Sequence, residues 1–196
     1  MVIKSLQPNK QTHRQPKLFL SASFYIFFEQ VNLAKKQSKL EKELREWLNA
    51  PKRVAIAGIG NPIRSDDYVG MKIIQELQDK TSPKIKLLEC ETVPESFVDE
   101  IGAFKPTHVL LIDAALMGLK PGEVRLLNTE NIKNFPAIST HMLPLPVFCE
   151  FIAQLTGAKI ALILIEPKNT EMGEVLTAEV QNSAEIIVRL LLKLLP

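Results

Sequence analysis

A chain of 196 residues, 46% hydrophobic and 23% charged, is long enough to bury one sizeable core and too apolar to be mostly disordered. Its 24 Lys and Arg are scattered among 22 Asp and Glu, for a net charge of +2, which excludes the massed basic face of a nucleic-acid binder. Cys90 and Cys149 lack a CxxC spacing and fall in apolar surroundings; they read as reduced core residues of a cytoplasmic protein rather than as a disulfide or metal pair.

Residues 1–36 form an extension unlike the rest. A polar lead ends at Pro16, and Leu18-Phe19-Leu20-Ser21-Ala22-Ser23-Phe24-Tyr25-Ile26-Phe27-Phe28 is an apolar run closed by Glu29. That run is short of the roughly 18 residues of a membrane span, and the small-residue cleavage pattern of a signal peptide does not follow it. Three readings stay open: a helix or hairpin packed on the domain or on a partner, residues added by an upstream translation start, and a membrane-associated segment.

A single domain is expected over 37–196. From Gln37 the spacing predicts a charged amphipathic helix, with Leu40, Leu44 and Leu48 on one stripe, stopping before Pro51. Strands then alternate with helix-periodic stretches: a strand over 53–57 and a helix over 66–79; a strand over 85–89 and a short helix over 96–104; a strand over 109–112 and a Gly-Pro-Gly turn; a strand over 123–127; a helix over 145–154; a strand over 160–165; and a last helix over 176–194. Near-continuous apolar strands alternating with helices imply an α/β fold, a three-layer sandwich with a twisted, mainly parallel sheet of about five strands between helices. The strand over 123–127 follows a tight turn, so it is expected to be an antiparallel edge.

Three polar residues stand where a core has no use for them: Asp67, beyond the first strand and its loop; Asp113, closing the apolar run Val109-Leu110-Leu111-Ile112; and His141, in Ser139-Thr140-His141-Met142-Leu143-Pro144. In an open parallel sheet the carboxyl ends of neighbouring strands converge on one crevice, so side chains far apart in sequence can meet there. Gly58-Ile59-Gly60-Asn61-Pro62 after the first strand lets the backbone approach a neighbour closely. It is not a nucleotide loop, because Ile63 stands where a dinucleotide fingerprint needs its third glycine and no Gly-Lys-Ser/Thr follows. Of the adjacent acids, Asp66 is expected to cap the helix that follows and Asp67 to point into the crevice. A carboxylate at the end of a buried strand needs a partner, a proton or a metal, which favours a site role for Asp113. Two carboxylates and an imidazole form a partial shell for a transition metal, with positions left open for chemistry.

These segments carry a resemblance. Gly58-Ile59-Gly60-Asn61-Pro62-Ile63-Arg64-Ser65-Asp66-Asp67-Tyr68-Val69-Gly70, Leu111-Ile112-Asp113-Ala114-Ala115 with Gly118-Leu119-Lys120-Pro121-Gly122-Glu123, and Ser139-Thr140-His141-Met142-Leu143-Pro144-Leu145 resemble the nickel-iron hydrogenase maturation endopeptidases, nearest to the formate-hydrogenlyase-type branch. The likeness covers about residues 41–195. It implies a hydrolase that removes the carboxy-terminal extension of a nickel-loaded hydrogenase large-subunit precursor. It further implies Asp67, Asp113 and His141 as metal-binding and catalytic residues, a substrate-borne nickel ion replaceable by other divalent metals in crystals, and Gly58, Gly60 and Asn61 in the substrate-binding loop. The expected partner is the precursor, with no nucleic acid and no membrane, and the enzyme is expected to act as a cytoplasmic monomer. Tyr68 departs from the glycine common after the family's acidic pair. Glu166-Pro167 is expected at the rim. A non-hydrolytic metal-sensing chaperone of the large subunit and a small-molecule hydrolase on a similar fold are the alternatives.

Overall fold

The computed structural model describes residues 22–132, 138–139 and 145–196. By proximity of Cα atoms the chain divides into Met1–Lys35 and Lys36–Pro196. Helix α1 is longer than its charged stripe predicts, running Ala22–Trp47 and so taking in part of the apolar run. No helix among the described residues is long and apolar enough to cross a membrane.

After α1 the order is β1 Val54–Ile59, α2 Val69–Leu77, β2 Ile85–Glu91, α3 Val98–Phe104, β3 His108–Leu116, β4 Val124–Asn128, α4 Thr129–Ile132, β5 Ile138–Ser139, α5 Leu145–Thr156, β6 Lys159–Ile165 and α6 Ala178–Leu194. The main sheet has the strand order β2-β1-β3-β6-β4. Pairing is parallel throughout except at β4, which runs antiparallel to β6 as the edge. The reason is local: only seven residues link β3 to β4, too few for the crossover that a parallel return requires. The two-residue β5 adds an antiparallel pair beyond the end of β3, with Ser139 opposite Ala115 and Ile138 opposite Leu116.

β1, β3 and β6 are buried almost throughout because both faces of the sheet are covered. On one face Ile56, Leu110, Ile112 and Ile163 pack in a cluster with Leu44 of α1, Ile73 and Ile74 of α2, and Ile187 and Leu191 of α6. On the other, Ala57, Val109, Leu111 and Leu162 share a cluster with Ile101 of α3 and Phe148, Cys149 and Ile152 of α5. Alternation along each strand divides its residues between the two layers. Each fully buried Leu or Ile contributes about 1.5–3 kcal/mol. Both cysteines are buried and free, as their surroundings predict.

Two layers of helix over a mainly parallel sheet with one antiparallel edge is the architecture that the sequence pattern predicts. The differences are local. The helix expected over 66–79 begins as a 3-10 turn, Ser65–Tyr68, before α2, and that expected over 96–104 as a second such turn, Pro94–Phe97. β3 continues four residues past Ile112, so Asp113 lies inside the strand rather than closing it.

Candidate active site

Strand order places the two candidate carboxylates. The chain leaves β1 toward β2 on one side and returns to β3 on the other, so a topological switch point, where open parallel sheets bind ligands, lies between the carboxyl ends of β1 and β3. The β1–β3 ladder stops at Gly58 opposite Ile112. Asp113 is the next residue of β3, and it still pairs with Leu164 of β6 on its other side. Alternation puts it on the face of Leu111 and Ala115, the layer covered by α3 and α5. Asp67 lies in the 3-10 turn after β1, and that turn packs against β3. Asp67 is 2% exposed and Asp113 fully buried.

The loop between β1 and Asp67 is built on contacts that tolerate no side chain. A Cβ on Gly58 would fall 2.3 Å from the Gly70 oxygen, and one on Gly70 would fall 2.2 Å from the oxygen of Ile59 and 2.3 Å from that of Ile112. The start of α2 is thereby seated on the ends of both β1 and β3. Asn61 then orders the turn: its amide donates to Asp67 Oδ2 at 3.1 Å, its side-chain Oδ1 accepts from the Ile63 amide at 3.1 Å, and its carbonyl accepts from the Arg64 amide at 3.1 Å.

Asp66 does not cap the helix that follows it. Neither the 3-10 turn nor α2 has a side-chain cap. Its fully buried carboxylate turns instead to the segment between β6 and α6. Oδ2 accepts from the amides of Lys168 and Asn169 and from Thr177 Oγ1, each at 2.9 Å, and Oδ1 accepts from the Thr177 amide at 2.7 Å. Thr177 is the residue before the first turn of α6, so the anion lies at the amino end of that 17-residue helix, where the helix dipole favours it.

Glu166, expected at the rim, is buried and works as a brace. Its Oε2 accepts from the amides of Met117 at 2.7 Å and Leu119 at 3.2 Å, while its carbonyl accepts from the Gly122 amide at 2.8 Å. It supports the link that passes over the end of β6 to reach β4. Tyr68, at the family's usual glycine position, is half-buried. Its hydroxyl donates to Gln75 Oε1 of α2, and Gln75 Nε2 donates in turn to Glu89 Oε2 of β2 at 2.8 Å.

His141 lies outside the described residues, and among the described residues no group of three His, Cys, Asp or Glu side chains could hold a metal ion. His108 begins β3 at the opposite end from Asp113, buried against Trp47. Neither thiol is available as a nucleophile: burial pushes Cys90 and Cys149 each up to about 12.

A family model described as HycI, hydrogenase maturation protease, matches residues 71–194, well over half of the chain. The chain belongs to the hydrogenase maturation protease family. The matched span includes Asp113 and His141 and begins four residues after Asp67. A protein of Methanocaldococcus jannaschii named as a hydrogenase maturation protease is 32% identical over 164 residues, 80% of this chain and 96% of that protein. The hydrogenase 3 maturation protease of Escherichia coli strain K12 is 23% identical over 129 residues, 66% of this chain and 82% of its own length. In three dimensions the NiFe hydrogenase maturation protease HycI from Thermococcus kodakarensis KOD1 superposes with a TM-score of 0.71 at 32% identity, over 78% of this chain and 97% of that one. As a maturation protease the chain is a hydrolase.

Sequence reasoning missed the long-range roles of Asp66 and Glu166. For Asp66 one signal was present: Thr177 precedes an amphipathic helix, so a second helix end was within reach of an acid. Nothing in the order of residues said which acid would meet it.

Proposed function

We propose that this hydrogenase maturation protease removes the carboxy-terminal extension of a nickel-loaded hydrogenase large-subunit precursor, gripping the nickel in its substrate through Asp67, Asp113 and His141. The observation that carries this reading is the placement of Asp67 and Asp113, two buried carboxylates at the switch point between β1 and β3. The described residues on either side of His141 support it. Ser139, two residues before His141, lies opposite Ala115, two residues after Asp113. α5, which starts four residues after His141, covers the face on which Asp113 alternates.

Two carboxylates and an imidazole suit a divalent transition ion better than a neutral ligand. Asp67 would meet it with a carboxylate oriented by the Asn61 amide. Gly58, Gly60 and Asn61 would form the backbone floor against which the precursor lies. Substrate nickel supplies Lewis acidity to the adjoining peptide bond. The chain's own residues fix where that bond lies, and the two cysteines, held as neutral thiols, take no part.

The reading is tested by incubating the protein with precursor prepared with and without nickel and following intact mass. Loss of a defined carboxy-terminal tail from the nickel-loaded sample alone is the expected result. Equal cleavage of metal-free precursor, or stable association with no cleavage, would overturn it, the latter in favour of a chaperone.

A further inference from the structure

We propose that Asp66 is a positioning residue for the cleavage reaction: its carboxylate locks the 168–177 segment onto the turn that carries Asp67, and so fixes where Asp67 presents its own carboxylate. This rests on the cleavage reading given above.

The two loops are joined along their length. The Ser65 amide donates to the Gly173 oxygen at 2.7 Å, the Asp66 amide to the Asn169 oxygen at 3.0 Å and the Gly173 amide to the Ile63 oxygen at 3.0 Å. Ser65 Oγ donates to the Val175 oxygen at 2.8 Å, and Arg64 Nε to the Thr170 oxygen at 3.0 Å. Asp66 is the buried centre of this seam. Its four donors come from both ends of the segment, Lys168 and Asn169 on one side and Thr177 on the other. Four converging donors require a group that only accepts, which a carboxylate provides and a carboxamide, with one NH2, does not.

The adjacent residue gains from this. Ser65 has φ +46°, in the left-handed region, and a lone strained turn would relax if nothing held it. Asp67 is held through that turn on both sides: its amide donates to the Arg64 oxygen at 3.0 Å, and its Oδ2 accepts from Asn61. Neighbouring carboxylates therefore divide their tasks. That of Asp66 faces the 168–177 segment as structure, and that of Asp67 faces the loop after β1. A displacement of about 1 Å at a reacting group is enough to cost about 100-fold in rate.

The experiment compares Asp66→Asn, Thr177→Val, Thr177→Ser and Ser183→Ala in the full chain, each at a temperature where circular dichroism shows it fully folded, with nickel-loaded precursor as substrate. Ser183 Oγ donates to the Gly122 oxygen at 2.6 Å and to the Glu179 oxygen at 3.1 Å, neither of them in the two joined loops, so its loss reports stability alone. Expected for Asp66→Asn is a fall in kcat of about 10- to 100-fold with KM within about twofold, because the precursor still docks but meets a displaced Asp67. Hydrogen exchange should quicken together at the amides of Lys168, Asn169 and Thr177 and of Ser65, Asp66 and Asp67. Thr177→Val should lower kcat, Thr177→Ser should restore it, and Ser183→Ala should leave it unchanged.

Undiminished kcat in folded Asp66→Asn, or an equal loss in Ser183→Ala, would overturn the proposal. If Asp66→Asn fails to fold, the Thr177 pair decides: equal kcat in the Val and Ser variants overturns it. Failure of the wild-type protein to cleave nickel-loaded precursor would instead count against the cleavage reading, so the two failures are told apart.

Discussion

A Cβ on Gly60 would stand 1.8 Å from the backbone oxygen of Asp67, and Gly60 itself has φ +147°. Any side chain there collides with the backbone of the turn that carries the candidate ligand. Gly60→Ala should therefore destabilise the fold by about 2–4 kcal/mol, combining overpacking with backbone strain. Gly118 is the control: its φ is also positive, at +71°, but a Cβ there meets nothing within 4 Å. Gly118→Ala should cost about 1 kcal/mol from conformation alone. Urea midpoints of the two variants check this, and equal shifts would refute the close approach.

Asp67→Asn, Asp113→Asn and His141→Ala should each reduce cleavage of nickel-loaded precursor by about 100-fold or more: the carboxamide keeps the volume of the carboxylate but gives up its charge toward a dication, and alanine removes the imidazole nitrogen donor. The folded state should survive, as judged by circular dichroism and a cooperative thermal transition. Intact mass of the precursor is the readout. Substantial cleavage by the Asp67→Asn, Asp113→Asn double variant would remove the basis for a ligand role.

The parts of the fold legible in the sequence are those decided by local pattern. β1 and β6 are continuous apolar runs, and β4 follows a turn with glycines at Gly118 and Gly122 whose left-handed conformations bend the chain back. Where a partner far along the chain decides, the pattern failed. β3 extends through Asp113 because Asp113 and Ala114 find partners in Leu164 and Ile165. β5 exists only because Ile138 and Ser139 meet the end of β3. The candidate site divides in the same way. Asp67 and Asp113 were readable as acids near the carboxyl ends of apolar strands, whereas the partners of Asp66 lie 102 to 111 residues away and no periodicity announces them.

Burial raises both thiols to about 12, with the charge of Glu100 adding to the effect at Cys90. At pH 8 neither forms thiolate in the native protein, so neither should react with a disulfide reagent such as DTNB. Both should react fully in denaturant, where their ordinary acidity returns. Counting thiols with and without guanidinium tests this, and rapid native labelling of either would contradict the packing of β2 or α5 described here.

His108 supplies a pH dependence with a definite sign. It is 3% exposed, its Nδ1 lies 3.0 Å from Thr107 Oγ1, and its ring meets the Trp47 indole edge to face at 5.1 Å. Burial, and next the positive charge of Lys159, hold the imidazole below its ordinary value; the nearby Trp47 backbone opposes them only in part. The folded protein thus keeps His108 neutral at a pH where the unfolded chain already binds a proton. As pH falls through about 6.5, the unfolded state takes up that proton first and its contribution to stability is lost, until the folded-state value is reached. Above about 7 this residue should contribute no slope. Trp47 is the only tryptophan, so its fluorescence reports on this contact directly. Urea unfolding from pH 7.5 to 5 should show falling stability in the wild type and a shallower fall in His108→Gln. Identical slopes in the two proteins would mean that the proton uptake lies elsewhere.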